Sequence, residues 1–334
     1  MDALVITGPT ASGKSDLSFK LAELLNGEII SADSAQVYRG LDIGTAKPER
    51  IIQEKLEHHL IDIRDPSEIY TVADFRSDAL KIISEIKGRG KVPIISGGTM
   101  LYLKALREGL ADLPAANPSV RESIELNATK HGWAKLHSDL KIIDPMSAER
   151  IKPNDSQRLQ RALEVHQLTG IPLSEHLANA KASCSLKLVE IAIFPAYRGK
   201  LHKRIEQRFK KMLEKGFVEE VLRLKERKDL NEDLPALKSV GYRQIWHYLD
   251  NRFDRETMVE RVLAATRQLA KRQFTGLSES SRTTKSAFVC FKQAFISSTF
   301  PFPRKNFGSG YFLLLSNSKT GKNPAEQTNS LNSP

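Results

Sequence analysis

An α/β fold built on a parallel sheet is the class this sequence predicts, and three observations carry that reading. The apolar run Ala3 to Thr7 leads directly into Gly8-Pro9-Thr10-Ala11-Ser12-Gly13-Lys14-Ser15, and an amphipathic run from Leu17 to Leu25 follows at once. Short apolar runs then alternate with helix-period segments up to the Gly97-Gly98-Thr99 turn, the order of strand, crossover helix and next strand. Beyond the turn-rich stretch Leu113 to Pro118 the pattern is helical, broken by one further apolar run from Leu188 to Phe194.

The glycine-rich stretch fits the spacing G-x-x-x-x-G-K-[ST] of a phosphate-binding loop. Gly8 and Gly13 are expected to take backbone angles that other residues resist, turning successive N–H groups inward around a phosphate at a helix N-terminus. Lys14 adds a point charge, and the Ser15 hydroxyl is a candidate Mg²⁺ ligand. A plain glycine turn before a helix is the alternative, and it leaves the lysine, the serine and the preceding strand without a purpose.

Charge narrows the partners. With 51 Lys+Arg against 40 Asp+Glu the formal net charge is +11, which suits a polyanion, nucleic acid before membrane. No apolar run approaches the length of a spanning helix, and the segment before the glycine loop is too short for a secretory signal. A cytoplasmic protein, monomeric and with no membrane partner, is expected. Cys184 and Cys290 stand far apart without CxxC or CxxH neighbours, which fits reduced thiols better than a disulfide or a zinc site.

In chain order, Glu28 to Ala32 reads as a second strand that delivers Asp33-Ser34-Ala35-Gln36 to its carboxyl end, where ligands bind in such sheets. Asp33 there is a general base or Mg²⁺ partner, or else a helix cap or solvated acid; type and position leave both open. Tyr38 to Pro48, rich in Gly and polar residues and without a period, reads as a mobile active-site loop. His58 to Ile63 reads as a third strand, its histidines edge residues rather than metal ligands because no third ligand stands at a recognisable spacing. Thr71, with Asp74 at capping-box spacing, opens a helix carrying Phe75, Ala79, Ile82, Ile83 and Ile86 until Gly88 and Gly90 stop it. Lys91 to Ser96 is the next strand. It ends in Gly97-Gly98-Thr99, a second place where amides and a hydroxyl could face an anion.

Residues 116–185 are expected to form a helical insertion, in which Asn154 or Asp155 opens a helix that closes at Gly170. Within it Gln157-Arg158-Leu159-Gln160-Arg161 sets two guanidiniums at helical spacing on one face, suited to a phosphate backbone or to solvent alone. Residues 1–115 with 186–277 make the core and its C-terminal helices, which read as 201–215, 217–228, 245–249 and 256–274 and are dense in Lys and Arg. Residues 278–334 turn to Ser, Thr, Lys, Asn and Pro without a period, the composition of a disordered tail. The predicted architecture is a P-loop NTPase-like parallel sheet core with a helical insertion and a helical, basic C-terminal part.

The order of these motifs resembles one family, the tRNA dimethylallyltransferases or IPP transferases. The resemblance rests on Gly8 to Ser15, Ser31 to Gly40, Asp42-Ile43-Gly44-Thr45, Asp62 to Pro66, Gly97 to Tyr102, Ser239 to Gln244 and Ala265 to Gln273, collinear with the family's signatures up to about residue 275. It implies transfer of a dimethylallyl group from dimethylallyl diphosphate to the N6 amine of an adenine beside the anticodon. The donor's diphosphate would sit in the loop that nucleotide-binding (ATP-binding) proteins use for ATP, with Mg²⁺ at Ser15. By this resemblance Asp33 is the general base, Thr99 stands near the bridging oxygen of the leaving diphosphate, and Lys14 supports catalysis. It also implies that the tRNA anticodon stem-loop meets Asp33, Ser34, Ala35, Gln36 and Thr99. Further tRNA contacts fall on Gln157, Arg158, Leu159, Gln160 and Arg161, on Lys238, Ser239, Val240, Gly241, Tyr242 and Arg243, on Lys271, Arg272, Gln273 and Phe274, and on Arg121. One departure is Thr275-Gly276-Leu277-Ser278, where the family's helix usually continues Thr-Trp-Leu-Arg; glycine there weakens the helix end.

Two other classes compete. A P-loop small-molecule kinase would explain loop and sheet, but not the charge of +11, and it would want an acidic residue closing a strand where Ser96-Gly97-Gly98 stands. An RNA-binding module without chemistry would leave Asp33 and Thr99 idle.

Overall fold

The computed structural model describes residues 1–179, 186–195, 197–283, 287–291 and 314–316. It divides into two compact units, residues 1–104 with 186–334, and residues 105–185. The first boundary falls within the helix Met100–Glu108, before the turn-rich stretch that suggests 115/116.

In the first unit the chain forms β1 (Ala3–Thr7), α1 (Lys14–Leu25), β2 (Gly27–Ser31), α2 (Arg50–Lys55), β3 (His58–His59), α3 (Val72–Gly88), β4 (Val92–Gly97) and the start of α4 (Met100–Glu108). Strands β1 to β5, the last at Leu188–Ile193, pair in parallel in the order β3-β2-β4-β1-β5. All five residues of β1, and all five of β2, are buried, as strands covered on both faces should be. Leu4, Ile6, Ile29, Ile94 and Ile193 of the sheet pack against Leu21 and Ala22 of α1.

The expected capping box of α3 is present: Thr71 Oγ1 accepts from the Asp74 amide at 3.1 Å and Asp74 Oδ2 accepts from the Thr71 amide at 2.8 Å. Below it Phe75, Ala79, Ile83 and Ile86 are buried. The third strand is shorter than its sequence suggests, His58–His59 rather than His58 to Ile63. Leu60 (φ 62°) and Asp62 (φ 57°) take left-handed angles that break the ladder.

On β2 Glu28, 3% exposed, accepts from His59 Nε2 at 2.7 Å and pairs with Arg89 at 2.7 Å and Lys91 at 3.0 Å. Burial pushes its carboxyl up, but the hydrogen bonds from Arg89, His59 and Lys91 together win and hold it at about 2, below the ordinary 4.5. A depressed carboxylate contributes stability above its unfolded pKa and loses it as pH falls through the folded one. Glu28→Gln should therefore lower Tm by roughly 3 to 6 °C at pH 7. The gap from the parent should close between about pH 4.5 and 2. A gap independent of pH over that window would show that the cluster does not couple to folding.

The second unit holds α5 (Pro118–His131), α6 (Trp133–Ile143), α7 (Pro145–Arg150), α8 (Ser156–Thr169) and α9 (Leu173–Asn179). Asn117, Asp144 and Asp155 cap α5, α7 and α8 through their side chains. Ile124, Leu136, Leu140, Leu159 and Leu163 form its core.

Back in the first unit come α10 (Arg198–Glu214), α11 (Phe217–Glu226), α12 (Tyr242–Leu249) and α13 (Arg255–Thr283). Helix α13 does not stop near Phe274. Leu277, fully buried with Ala192 and Phe194 and packed on by Phe274 and Met100, carries it through Gly276; that burial outweighs the roughly 1 kcal/mol a helical glycine costs. Of the tail from residue 278, the described residues continue α13 and form β6 (Ala287–Phe291), parallel to β5, and β7 (Leu314–Ser316), antiparallel to β6. Ala-Phe-Val-Cys-Phe is strand-forming in composition, a short run outweighed in the sequence by the polar residues around it. Cys184 lies outside the described residues. Among them, no helix is long and apolar enough to cross a membrane.

Candidate active site

Two different constraints shape the loop from Gly8 to Ser15. Gly13 (φ 91°) and Ala11 (φ 62°) are left-handed. Gly8 is instead kept bare by close approach, since a Cβ there would stand 2.6 Å from Ser12 Oγ and 2.9 Å from the Ile193 carbonyl oxygen. The expectation of an unusual angle thus holds for Gly13 and not for Gly8. Left-handed turns aim successive amides to one side, and the loop runs into α1, whose first-turn N–H groups have no partner within the helix.

This loop opens on a cavity of about 660 Å³ lined by Thr10, Lys14, Ser15, Asp33, Thr99 and Arg208 among others. Lys14 is half-buried. The protein around it pushes its ammonium down to about 8, with Asp33 pulling the other way and Arg208 adding to the depression. Arg208 reaches in from α10, donating to Thr10 Oγ1 at 3.2 Å and to the Thr45 carbonyl at 3.4 Å. Burial lowers its pKa also, against the pull of Asp33. Two crowded cations beside free helix amides make an anion site, because an entering diphosphate relieves their repulsion.

In the same cavity Asp33 lies two residues beyond β2. Its Oδ1 accepts from the Ala35 amide at 2.9 Å, an Asx turn that leaves Oδ2 without a hydrogen bond among the described residues. One carboxylate oxygen caps and the other is open, so the two readings of Asp33 coexist. Thr99, at the end of β4, accepts from the Ser34 amide at 3.0 Å, and its hydroxyl lies 3.3 Å from Ser34 Oγ. A Cβ on Gly97 would stand 2.1 Å from the Ala32 carbonyl oxygen, so the ends of β2 and β4 approach as closely as backbone allows. Gln273 of α13 accepts from the Thr10 amide at 2.8 Å and donates to the Gly98 carbonyl at 2.9 Å.

The segment expected to be mobile is pinned. Glu220 of α11, 3% exposed, accepts from the amides of Asp42, Ile43 and Gly44 at 3.2, 2.8 and 3.2 Å and from the Tyr242 hydroxyl at 2.6 Å. Lys47 Nζ, nearly buried, bridges Asp42 and Asp62 at 2.5 Å each. A Cβ on Gly44 would lie 2.2 Å from the Phe217 ring, and Gly241 (φ 96°) brings its own backbone against the same ring. Buried polar contacts of this density remove the freedom that glycine content suggests.

Of the residues assigned to RNA, Ser34, Ala35, Gln36, Lys238, Ser239, Val240, Gly241, Tyr242, Arg272 and Gln273 line the cavity with Asp33 and Thr99. Tyr242 is 1% exposed and bonded to Glu220, so it supports the wall rather than offering a side chain. Lys271 and Arg243 are exposed, and Phe274 packs edge-on against Phe194 at 5.2 Å. In the second unit Gln157 and Arg158 are exposed. Leu159, however, is core, and its side chain is no part of an outward face. Gln160 donates to Glu125 at 2.8 Å. Arg161 and Arg121 both pair with the fully buried Glu164, at 2.6 and 2.8 Å.

Arg208 and Glu220 escape the motif-based reading, although a signal exists. Each stands in the apolar stripe of its helix, Arg208 with Leu201, Ile205 and Phe209, Glu220 with Phe217, Val221 and Leu224. A charge on such a stripe is a buried charge with a partner to find.

The comparisons agree on where this arrangement belongs. The family model described as IPP transferase matches residues 36–278. A curated tRNA dimethylallyltransferase of Alkalilimnicola ehrlichii is 53% identical over 274 residues, covering 82% of this chain and 86% of that protein. Among solved structures, the tRNA isopentenylpyrophosphate transferase of Bacillus halodurans is 36% identical, with TM-score 0.61 over 87% of this chain and 90% of its own. A eukaryotic dimethylallyltransferase captured acting on tRNA is 29% identical, with TM-score 0.72 over 86% of this chain and 73% of its own. With a family model matched over residues 36–278 and a curated relative 53% identical over 274 residues, this chain belongs to the IPP transferase family.

Proposed function

We propose that the cavity transfers a dimethylallyl group from dimethylallyl diphosphate to the N6 amine of an adenine beside the anticodon of a tRNA, releasing diphosphate. The observation that carries this is the meeting in one cavity of Lys14, Arg208 and the phosphate loop with Asp33 and Thr99. An exocyclic amine is a weak nucleophile, so displacement at the donor's C1 needs an in-line approach, a stabilised leaving group and a proton acceptor. The amine nitrogen bonds to C1, the C1–O bond breaks toward the diphosphate, and the amine proton passes to Asp33. Lys14, Arg208 and the first-turn amides of α1 take up the charge that grows on the leaving oxygens. Thr99 can turn its hydroxyl from Ser34 to the bridging oxygen. The adenine leaves its stack to reach Asp33, while basic side chains hold flanking phosphates.

Mg²⁺ fits this donor set in a limited sense. Among the described residues no group of three or more His, Cys, Asp or Glu could hold a metal, but Mg²⁺ usually keeps several waters and takes one or two protein ligands plus phosphate oxygens. Ser15 lines the cavity, and its hydroxyl makes no hydrogen bond among the described residues. It would hold an ion that arrives with the diphosphate, and the bound ion would neutralise leaving-group charge. The reaction is placed in the cytoplasm, on a monomer.

The kinase reading falls with the family match. The proposal is tested by incubating the full chain with tRNA and labelled dimethylallyl diphosphate and digesting the tRNA to nucleosides. Label on adenosine is expected, and label absent at saturating substrates would end the proposal.

The second unit's arginines separate by burial. Arg158, its side chain 75% exposed, should contact phosphate, so Arg158→Ala should reduce the log–log salt slope of tRNA binding by about one with Tm unchanged. Arg161→Ala should instead lower Tm by several degrees, because it removes a partner from the buried Glu164 carboxylate. Salt titrations and thermal melts of the two variants check both, and the reverse pattern would exchange their roles.

A further inference from the structure

We propose that Gln273 is a positioning residue for the transfer: its amide clamps the phosphate loop to the Gly97-Gly98-Thr99 turn and so sets the distance between the departing diphosphate and the residues that receive the adenine amine. This rests on the reading of the cavity given above.

The clamp uses both ends of one side chain. Oε1 accepts from the Thr10 amide at 2.8 Å, and Nε2 donates to the Gly98 carbonyl at 2.9 Å. A primary amide presents a donor and an acceptor side by side in one rigid plane. Glutamate would turn an acceptor on the Gly98 carbonyl. Gly98 is fitted to the clamp, since a Cβ there would stand 2.4 Å from Nε2 and 3.3 Å from the Gly8 carbonyl oxygen. Phosphate loop, strand turn and α13 therefore meet at one point. Thr10 is gripped a second time, its hydroxyl accepting from Arg208 at 3.2 Å.

On one side of this junction lie Lys14 and the loop amides; on the other is Thr99, the next residue after Gly98. Neither loop is held to the other by a strand ladder at this point, and the two strands that carry them, β1 and β4, have ended. An amide engaged at both ends has no group left to offer RNA without breaking the junction. Its neighbours Lys271 and Arg272 are exposed and suit that purpose better. Misplacing a reacting group by about 1 Å costs on the order of 100-fold in rate.

The test uses the full chain, with Gln273→Met, which keeps length and packing but makes neither hydrogen bond, and Gln273→Glu, which keeps the acceptor for Thr10 alone. Single-turnover transfer is measured at saturating tRNA and dimethylallyl diphosphate, with tRNA Kd by filter binding and exchange of the Thr10 amide by NMR. For Gln273→Met the single-turnover rate should fall about 30- to 100-fold. Its tRNA Kd should stay within about threefold and Thr10 exchange should quicken. Gln273→Glu should keep Thr10 protected and still lose rate, a split that general destabilisation does not produce. A Gln273→Met rate equal to the parent's overturns the proposal, as does a rate loss matched by lost tRNA affinity with Thr10 exchange unchanged. Should the unaltered chain transfer no prenyl group, the cavity reading fails and this role with it; quicker Thr10 exchange in Gln273→Met would then report a clamp that serves something else.

Discussion

Asp33→Ala should lower single-turnover prenylation by roughly 10² to 10⁴ while donor affinity moves by no more than a few-fold. The loop amides, Lys14 and Arg208 remain in place, so the diphosphate still binds; what disappears is the acceptor for the amine proton. Alanine also removes the Asx turn, in which Oδ1 accepts from the Ala35 amide at 2.9 Å. Asp33→Asn separates the two effects, because asparagine can keep that contact and cannot take the proton. Both variants should fall together. Recovery by asparagine to within a few-fold of the parent would make Asp33 a structural residue and remove the general base from the mechanism.

Lys14→Ala should differ in kind, with donor affinity and turnover lost together, turnover by about 10² to 10³, because the ammonium meets the diphosphate both before and during bond cleavage. The geometry also sets a pH dependence. Burial, with a smaller push from Arg208, lowers the Lys14 ammonium to about 8 in the free protein, so above that pH the site loses a positive charge before the donor arrives. If the charged form binds, donor Kd should rise about tenfold per pH unit above 8 until the pKa of the complex is reached. Below about pH 7 this contribution is flat. Calorimetric titrations from pH 6.5 to 9.5 should show the break in the parent and none in Lys14→Ala. A break that persists without the lysine would assign it to another group, Arg208 having no titration in that range.

Much of the core was readable because it is written locally. Buried parallel strands are largely apolar runs, so β1, β2, β4 and β5 announce themselves; β3 is legible in place but not in length, since two left-handed residues cut it to His58–His59. The α3 capping box is legible from side chains three residues apart, whereas for α8 the sequence offers Asn154 or Asp155 and the structure gives the cap to Asp155. The segment Tyr38 to Pro48 misled because glycine and polar content record chain freedom before folding. They do not record Glu220, which arrives from a helix some 180 residues later and accepts from three of its amides. Arg158 and Arg161 look alike in sequence, and only the buried Glu164 tells them apart.

The sequence by itself determined the phosphate loop, the acidic end of the second strand, the order of the motifs and hence the family. Each of these depends on residue types within a few positions, where backbone angles and helix or strand period are decided. Tertiary structure alone decided which polar groups act on one another. Gln273 reaches Thr10 across 263 residues of chain. Burial lowers the Lys14 pKa and Arg208 adds to the lowering from another helix, and Tyr242 proves to be a wall rather than a contact. A polar side chain carries no local mark of its partner, because that partner is chosen by how distant elements pack and by the cost of leaving a buried donor or acceptor unpaired.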